Sequence, residues 1–305
     1  MKIFMIDFIK IWLRLVTPEL ISALKNLGVR IIVEERTGEI DQKKFADIGS
    51  LRLIIMRDSY YLIQGSLHKH YTGGFNDNDY TFHDLLRTLK ELKSIFNIDL
   101  KESFIQNIEI GWNIDVSYNP DEILSDLIEY RGHPFENFQN YPGHSIGKKC
   151  VFRQYELKFY NKRKQGGRYN NLRIEIKFRK AIAFRKFGVE TLEDLTKGIV
   201  LRDLANHLLR IINDVTMDDK RIDLEQLSIR DSIVIRDGRS PQYWVGLRGR
   251  TNRLKRFRIK FNSLVNKYKI VDIKSHLLEL SQEKINRLMK IDQKVFAAYC
   301  DLHEL

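Results

Sequence analysis

Two alternating stretches on either side of a Gln165-Gly166-Gly167 turn constrain this chain more than any other feature in it. Val151, Tyr155, Leu157 and Phe159 share one parity before the turn, and Leu172, Ile174, Ile176 and Phe178 share one after it. Side chains in a strand point alternately to opposite faces, so the pattern predicts a β-hairpin with one apolar face. The other face takes Gln154, Glu156, Lys158, Tyr160 and Lys162 from the first strand and Arg173, Glu175, Lys177 and Arg179 from the second. Such a face is either the solvated side of an antiparallel sheet or a surface that handles phosphodiesters. In the second case cations hold phosphates and a tyrosine hydroxyl attacks one.

Charge bears on that choice. Residues 148–187 carry 14 Lys/Arg against Glu156 and Glu175, so their formal charge of +12 equals that of the whole 305-residue chain. An excess of this size favours a polyanionic partner, nucleic acid before membrane, because no basic amphipathic helix dominates the sequence. A hydrophobic content of 43% with 30% charged residues and 5 Pro is that of a folded protein. Cys150 and Cys300 lie far apart, which excludes a disulfide framework or a cysteine zinc site and fits a reducing cytoplasm. Asp7, Lys10 and Arg14 interrupt the apolar N-terminus before a signal peptide or membrane span could form, so residues 3–15 read as a strand.

Further along, residues 19–27 predict a short helix, 29–34 and 51–56 buried strands, and 61–70 a strand with His68 and His70 on its polar face. Residues 82–96 carry a helical apolar stripe after Thr81. The cleanest alternation covers 105–116, with Ile108, Ile110, Trp112, Ile114 and Val116 on one side and Glu109, Gly111, Asn113 and Asp115 on the other. A helix from Pro120 to Tyr130 and a connection over 131–149 lead to the hairpin. Beyond it, 191–215 and 282–299 read as helices. Residues 246–270 carry nine Lys/Arg and no acid, interleaved with Phe257, Phe261 and Tyr268.

Three predicted strands thus present chemistry on their polar faces: His68 and His70, Glu109 and Asp115, and Tyr160 with Glu175. Glu109 is conspicuous on a strand with almost no other charge. Mg²⁺ or Mn²⁺ takes oxygen ligands, with imidazole tolerated by the latter, so His68, Glu109 and Glu175 form a candidate metal site. A tyrosine is mostly protonated at neutral pH, and a nucleophilic Tyr160 needs help from Lys158 or Lys162 on its own face. Cross-strand pairing with Glu156 or Glu175 is the alternative role for those lysines.

Several segments, in one order, resemble the replication initiators of filamentous single-stranded DNA phages, the gene-two protein group, and the related rolling-circle plasmid initiators. They are Met5-Ile-Asp-Phe-Ile-Lys-Ile11, Gly65-Ser-Leu-His-Lys-His70 with Gly74-Phe-Asn-Asp-Asn-Asp-Tyr80, and Ile108-Glu-Ile-Gly-Trp-Asn-Ile114. Leu157-Lys-Phe-Tyr-Asn-Lys162 and Leu172-Arg-Ile-Glu-Ile176 complete the series.

The resemblance implies a single-tyrosine endonuclease and strand transferase. Tyr160 is its nucleophile, leaving a 5′-phosphotyrosyl link and a 3′-OH primer at a single-stranded or cruciform origin. Host helicase and polymerase are the implied partners, in a bacterial cytoplasm and away from the membrane. With that resemblance over roughly residues 5–190, the elements read above predict an α+β fold, an antiparallel sheet with helices on one face and a mostly helical C-terminal region, divided as residues 1–190 for nicking and 191–305 as a basic DNA-binding or accessory part. Arg173, Lys177, Arg179, Arg250, Arg253, Arg256 and Arg258 are the expected DNA contacts. The alternatives are a non-catalytic DNA- or RNA-binding protein, and a conjugative relaxase with the same chemistry.

Overall fold

Alternating apolar strands bury one face only when they pair, and among the described residues ten strands pair into one antiparallel sheet. In chain order these are β1 (Met5–Leu13), β2 (Arg30–Val33), β3 (Ile40–Ile48), β4 (Leu51–Met56) and β5 (Tyr60–Ser66). Helices α1 (Leu67–Thr72) and α2 (Phe82–Phe96) precede β6 (Ser103–Asp115), α3 (Pro120–Ser125) and the short strands β7 (Leu127–Tyr130) and β8 (His133–Pro134). Strands β9 (Glu136–Tyr141), β10 (His144–Val151), β11 (Tyr155–Asn161) and β12 (Asn171–Phe178) follow. The remainder is α4 (Ile182–Arg185), α5 (Gly198–Asp214), β13 (Thr216–Met217), α6 (Ile229–Arg239), α7 (Pro241–Leu247), α8 (Thr251–Tyr268) and α9 (Ile273–Leu288). This computed structural model describes residues 5–14, 22, 28–33, 36–56, 60–76, 79–167 and 170–288. The helix expected over 19–27 and the end of the last one lie outside the described residues.

The strand order is β2-β3-β4-β5-β1-β6-β12-β11-β10-β9, which puts β1, β6, β12 and β11 side by side at the centre. Their apolar faces meet helices: Ile9, Ile110, Trp112, Ile174 and Leu157 share one core with α2, α5 and α9. Helix α2 begins at a capping box, Thr81 Oγ1 accepting from Asp84 N and Asp84 Oδ2 from Thr81 N, an arrangement that contributes about 1 kcal/mol. Its stripe of Phe82, Leu85, Leu86, Leu89, Leu92 and Phe96 is buried, at about 1.5–3 kcal/mol for each large side chain. Trp112 Nε1 donates to Ser281 Oγ at 3.2 Å and ties α9 to the sheet. A second, smaller core of Ile128, Ile222, Val234, Ile235, Trp244, Phe261 and Val265 holds α6, α7 and α8 together.

The sequence reading needs four corrections. Strand β5 stops at Ser66, whose hydroxyl accepts from Lys69 N and caps α1, so His68 and His70 stand on a helix rather than a strand. The helix from Pro120 ends at Ser125, and Leu127–Tyr130 is a strand paired with β8 and β13. The 131–149 connection contains β8, β9 and most of β10, and Val151 belongs to β10, opposite Glu156, rather than to β11. Finally, β2, expected as a buried strand, forms the edge of the sheet, with Ile31 and Val33 each 49% exposed. An edge strand is paired on one side only, so apolar side chains in it do not by themselves imply burial.

Candidate active site

The polar face over the four central strands is a lattice of charge, and the register sets its rows. One row runs Phe138, Gly147, Tyr160, Arg173, Asn113 across β9, β10, β11, β12 and β6. The next runs Lys149, Lys158, Glu175, Gly111, and the third Val151, Glu156, Lys177, Glu109. Opposite charges therefore face one another along the second and third rows, Lys158 against Glu175 and Lys177 between Glu156 and Glu109, and Arg173 of the first row meets Glu175 diagonally, the sheet geometry in which cross-strand pairs attract.

Two glycines make the packing possible. A Cβ on Gly147 would stand 2.1 Å from the Phe159 carbonyl oxygen and 2.4 Å from Tyr160 Cβ. Its absence lets the Phe138 and Tyr160 rings meet edge-on across the intervening strand, with centroids 5.6 Å apart. At Gly111 a Cβ would stand 2.6 Å from Glu175 Cβ, and its absence leaves room for that side chain.

Glu175 is the hub. Its Oε1 accepts from Lys158 Nζ at 2.8 Å, and its Oε2 from Arg173 Nε at 2.6 Å and from the Tyr160 hydroxyl at 3.1 Å. Lys158 also reaches Glu109 at 3.1 Å and Glu156 at 3.5 Å. Arg173, with no exposure at all, extends to Asn113 Oδ1 at 3.2 Å and Asp7 Oδ2 at 2.7 Å. Asp7 lies in a bulge: Ile6 faces Ile110 and Ile9 faces Ile108, so Asp7 and Phe8 together oppose Glu109. It also accepts from the Ser66 hydroxyl and from Asn76 Nδ2, the latter at 2.9 Å.

Asn76 closes the face. Besides Asp7 it contacts Lys162 Nζ through its Oδ1 at 2.7 Å and accepts from Asn113 Nδ2 through its carbonyl at 3.1 Å. With Phe138 on the other side, Tyr160 is left 5% exposed. A cleft of about 470 Å³ between the end of β6 and α9, lined by Asn113, Asp115, Lys284 and Arg287 among others, adjoins this network.

Protonation follows from burial and neighbours. Burial, and then the charge of Glu175, pushes the Glu109 carboxyl up to about 8. Burial acts the same way on Glu175, but Lys158 and Arg173 outweigh it and hold that carboxyl well below the usual range. Asp7 is likewise lowered, Arg173 overcoming desolvation. Burial lowers Lys162 to about 8, with Arg173 adding to the effect. Burial raises the Tyr160 phenol well above its ordinary value, and Glu175 and Asp7 add to this while Arg173 opposes it.

Of the expected metal ligands, Glu109 and Glu175 come together and His68 does not join them. Asp7 takes its place: Asp7, Glu109 and Glu175 each offer a carboxylate oxygen within 4.8 Å of the others. His68 is buried on α1 with its ring stacked on Tyr80 at 5.1 Å, because Ser66 ends the strand that would have aimed it at the sheet. Three carboxylates suit a hard cation such as Mg²⁺ or Mn²⁺, and the group could hold one, with the Lys158 ammonium as its competitor.

Among the expected DNA contacts, Arg173 is interior. Lys177 pairs with Glu109 at 3.1 Å, Arg179 pairs with Glu156, and Arg258 grips the fully buried Glu129 through Nε at 2.7 Å and Nη2 at 3.0 Å. Arg250, Arg253 and Arg256 are exposed. Sequence reasoning missed Asp7, Asn76, Asn113 and Phe138. The one sign of Asp7 was an acid between apolar strand neighbours, the same sign that singled out Glu109.

No family model matches this sequence, and no curated protein does. Among solved structures the chain is similar to the TBP of Methanococcus jannaschii, at 15% identity over 63% of this chain and 98% of that one, with a TM-score of 0.30. It is also similar to a rolling circle replication initiator protein from Geobacillus stearothermophilus, at 10% identity over 84% of this chain and 97% of that one, with a TM-score of 0.34.

Proposed function

We propose that this protein is a metal-dependent tyrosine DNA nickase and strand transferase that initiates rolling-circle replication. The observation that carries the reading is the hydrogen bond from Tyr160 to Glu175 inside the carboxylate group formed with Asp7 and Glu109. The resemblance of Leu157–Lys162 and Leu172–Ile176 to the nicking motifs of phage and plasmid initiators supports it from the sequence.

In this reading Tyr160 Oη attacks the phosphorus of one phosphodiester. The new O–P bond forms as the bond to the 3′ oxygen breaks, leaving a 5′-phosphotyrosyl link and a 3′-OH that primes synthesis. Attack by that hydroxyl, or by an equivalent one, reverses the step and rejoins the strand.

The phenolic proton needs an acceptor. Glu175 already receives the hydrogen bond but is held too acidic by Lys158 and Arg173 to keep the proton. Lys162, brought down to about 8 and with its Nζ 5.9 Å from the Tyr160 ring centroid, is the better match near neutral pH: its neutral amine takes the phenolic proton, which passes to the departing 3′ oxygen. Lys158 orients the carboxylates, and Arg173 faces the phenolate and the developing negative charge. A divalent ion held by Asp7, Glu109 and Glu175 would polarise a phosphoryl oxygen.

Residues 1–190 then carry the chemistry and 191–305 hold DNA, with host helicase and polymerase extending the primer in a bacterial cytoplasm. No helix among the described residues is long and apolar enough to cross a membrane.

The test is covalent capture. Single-stranded oligonucleotides of random sequence, labelled at the 3′ end, are incubated with the protein and Mn²⁺ and then denatured. A labelled adduct that survives denaturation is expected from the wild type and none from Tyr160→Phe. Complete absence of adduct across the pool would leave the second reading, a non-catalytic nucleic-acid binder. That reading is favoured by one observation, the 5% exposure of Tyr160, packed against Phe138.

A further inference from the structure

Helices α6, α7 and α8 form a unit that the nicking chemistry does not use. Trp244 of α7 packs edge-on against Phe257 and Phe261 of α8, with centroids 5.2 and 5.9 Å apart, and its Nε1 donates to the Gly238 carbonyl of α6 at 2.8 Å. The Tyr268 hydroxyl of α8 donates to Asp231 Oδ2 of α6 at 2.9 Å. The unit is fastened to the rest by the Arg258–Glu129 pair, so its orientation is held rather than tethered. Helices α7 and α8 are separated by three residues, Arg248-Gly249-Arg250, and Gly249 sits at φ +78°, a left-handed turn that glycine adopts without strain.

Helix α8 has two unlike faces. Leu254, Phe257, Phe261, Leu264, Val265 and Tyr268 turn inward to the small core. On the outside, the 3.6-residue period puts Asn252, Arg256, Ile259 and Ser263 along the ridge furthest from that core, with Arg253 and Lys260 flanking it. All six are exposed, Ile259 by 60%. Arg253, Arg256 and Lys260 have no carboxylate partner among the described residues, whereas Arg173, Lys177, Arg179 and Arg258 are all occupied by acids. Eighteen residues make a rod about 27 Å long with no acid on it.

We infer that α8 is a recognition helix for duplex DNA: with α7 and the Gly249 turn it forms a helix-turn-helix that lays Asn252, Arg256, Ile259 and Ser263 in a major groove. The chemistry matches that groove in kind. Arg pairs with guanine O6 and N7, Asn with adenine N6 and N7, and an exposed aliphatic group meets a thymine methyl, while Arg253 and Lys260 hold phosphates at the groove edges. A deep, narrow RNA major groove would not admit the helix, which favours DNA over RNA. The inference rests on the reading that the protein acts on DNA. It adds that origin choice is made on double-stranded sequence by a surface separate from Tyr160.

The experiment uses the full chain carrying Tyr160→Phe, so that no cleavage intervenes, and a pool of duplexes of about 20 bp with randomised sequence. Repeated selection should enrich one motif. Arg253→Ala with Lys260→Ala should weaken binding at least tenfold for enriched and random duplexes alike, and reduce the slope of log affinity against log salt by about 1.8. Asn252→Ala and Arg256→Lys should instead change the base preferred at single positions of the motif, with unchanged melting temperature.

Failure to enrich a motif, the same motif and slope in the variants, or tighter binding to a single strand or an RNA duplex of equal length would overturn the inference. If no protein forms adduct while the motif is enriched, the nicking reading fails and this one stands.

Discussion

The Tyr160 hydroxyl and the Glu175 carboxylate meet at 3.1 Å although neither residue is the other's cross-strand partner: Tyr160 faces Arg173, and Glu175 faces Lys158. Their contact is diagonal, and it brings a phenol, two cations and a carboxylate onto one spot. In this arrangement the phenol is held neutral and covered.

Replacing the phenol isolates its role. Tyr160→Phe removes one hydrogen bond to a charged acceptor and should change stability by no more than about 1–3 kcal/mol, while abolishing adduct formation. Tyr155→Phe should leave adduct formation intact, because Tyr155 lies on the opposite face, stacked on Phe152 at 4.7 Å. Adduct yield and thermal melting of both variants check this, and a dead Tyr155→Phe with an active Tyr160→Phe would sink the assignment.

Glu109 makes stability depend on pH in an unusual direction. Its carboxyl is raised from 4.5 to about 8, so between those values the native state keeps a proton that the unfolded chain has released. Stability should therefore fall as pH rises through that window, by at most about 1.4 kcal/mol per pH unit from this group. Glu109→Gln should flatten the slope. Binding of Mn²⁺, which needs the carboxylate, should tighten by roughly fifty-fold from pH 6 to 8. Denaturant melts and calorimetric titration across the window measure both, and a Mn²⁺ affinity independent of pH would remove Glu109 from the ligand set.

Lys158 Nζ lies within reach of three carboxyl groups. Lys158→Met leaves Glu109, Glu156 and Glu175 without their shared ammonium, a loss of about 3–5 kcal/mol. Mn²⁺ should restore part of it and raise the melting temperature of the variant more than that of the wild type, where Lys158 competes for the same oxygens. Equal shifts in both proteins would show that the ion binds elsewhere.

The glycine under the aromatic pair is a second weak point. Gly147→Val puts a branched side chain where even a Cβ would meet the Phe159 carbonyl oxygen at 2.1 Å. A cost of about 2 kcal/mol or more is expected, together with altered Tyr160 fluorescence as Phe138 is displaced. A melting temperature unchanged from wild type would contradict the close approach.

Arg258 separates anchoring from DNA contact. Arg258→Ala abandons Glu129, which has no exposure, and should destabilise the protein by about 3–5 kcal/mol. Arg253→Ala, on an exposed position of the same helix, should melt like the wild type. Comparable losses in the two variants would mean that the Glu129 pair holds nothing.

How much of this was legible varies residue by residue. The alternation at 155–159 and 172–178 placed Tyr160, Lys158, Arg173 and Glu175 on one face, and that at 108–114 put Glu109 on a face opposite Trp112, because period two is a local property of the chain. Asp7 was legible only as an interruption of apolar sequence. Its reach toward Glu109 depends on a bulge, a mismatch between two strands that neither strand carries alone. His68 was misplaced because Ser66 acts as a helix cap, and a capping hydroxyl looks the same in sequence as a strand serine.

By itself, then, the sequence determined which side chains share a strand face, where the excess positive charge lies, and that a helix-rich segment follows the sheet. These are consequences of local period and composition. Which cations are paired with carboxylates and which remain for a partner was decided only by the tertiary structure: Arg173 is enclosed and Arg258 half-buried, both paired, while Arg253 and Arg256 stand in solvent. Pairing depends on strand order and register, and these are settled by which backbones meet across residues far apart in the chain.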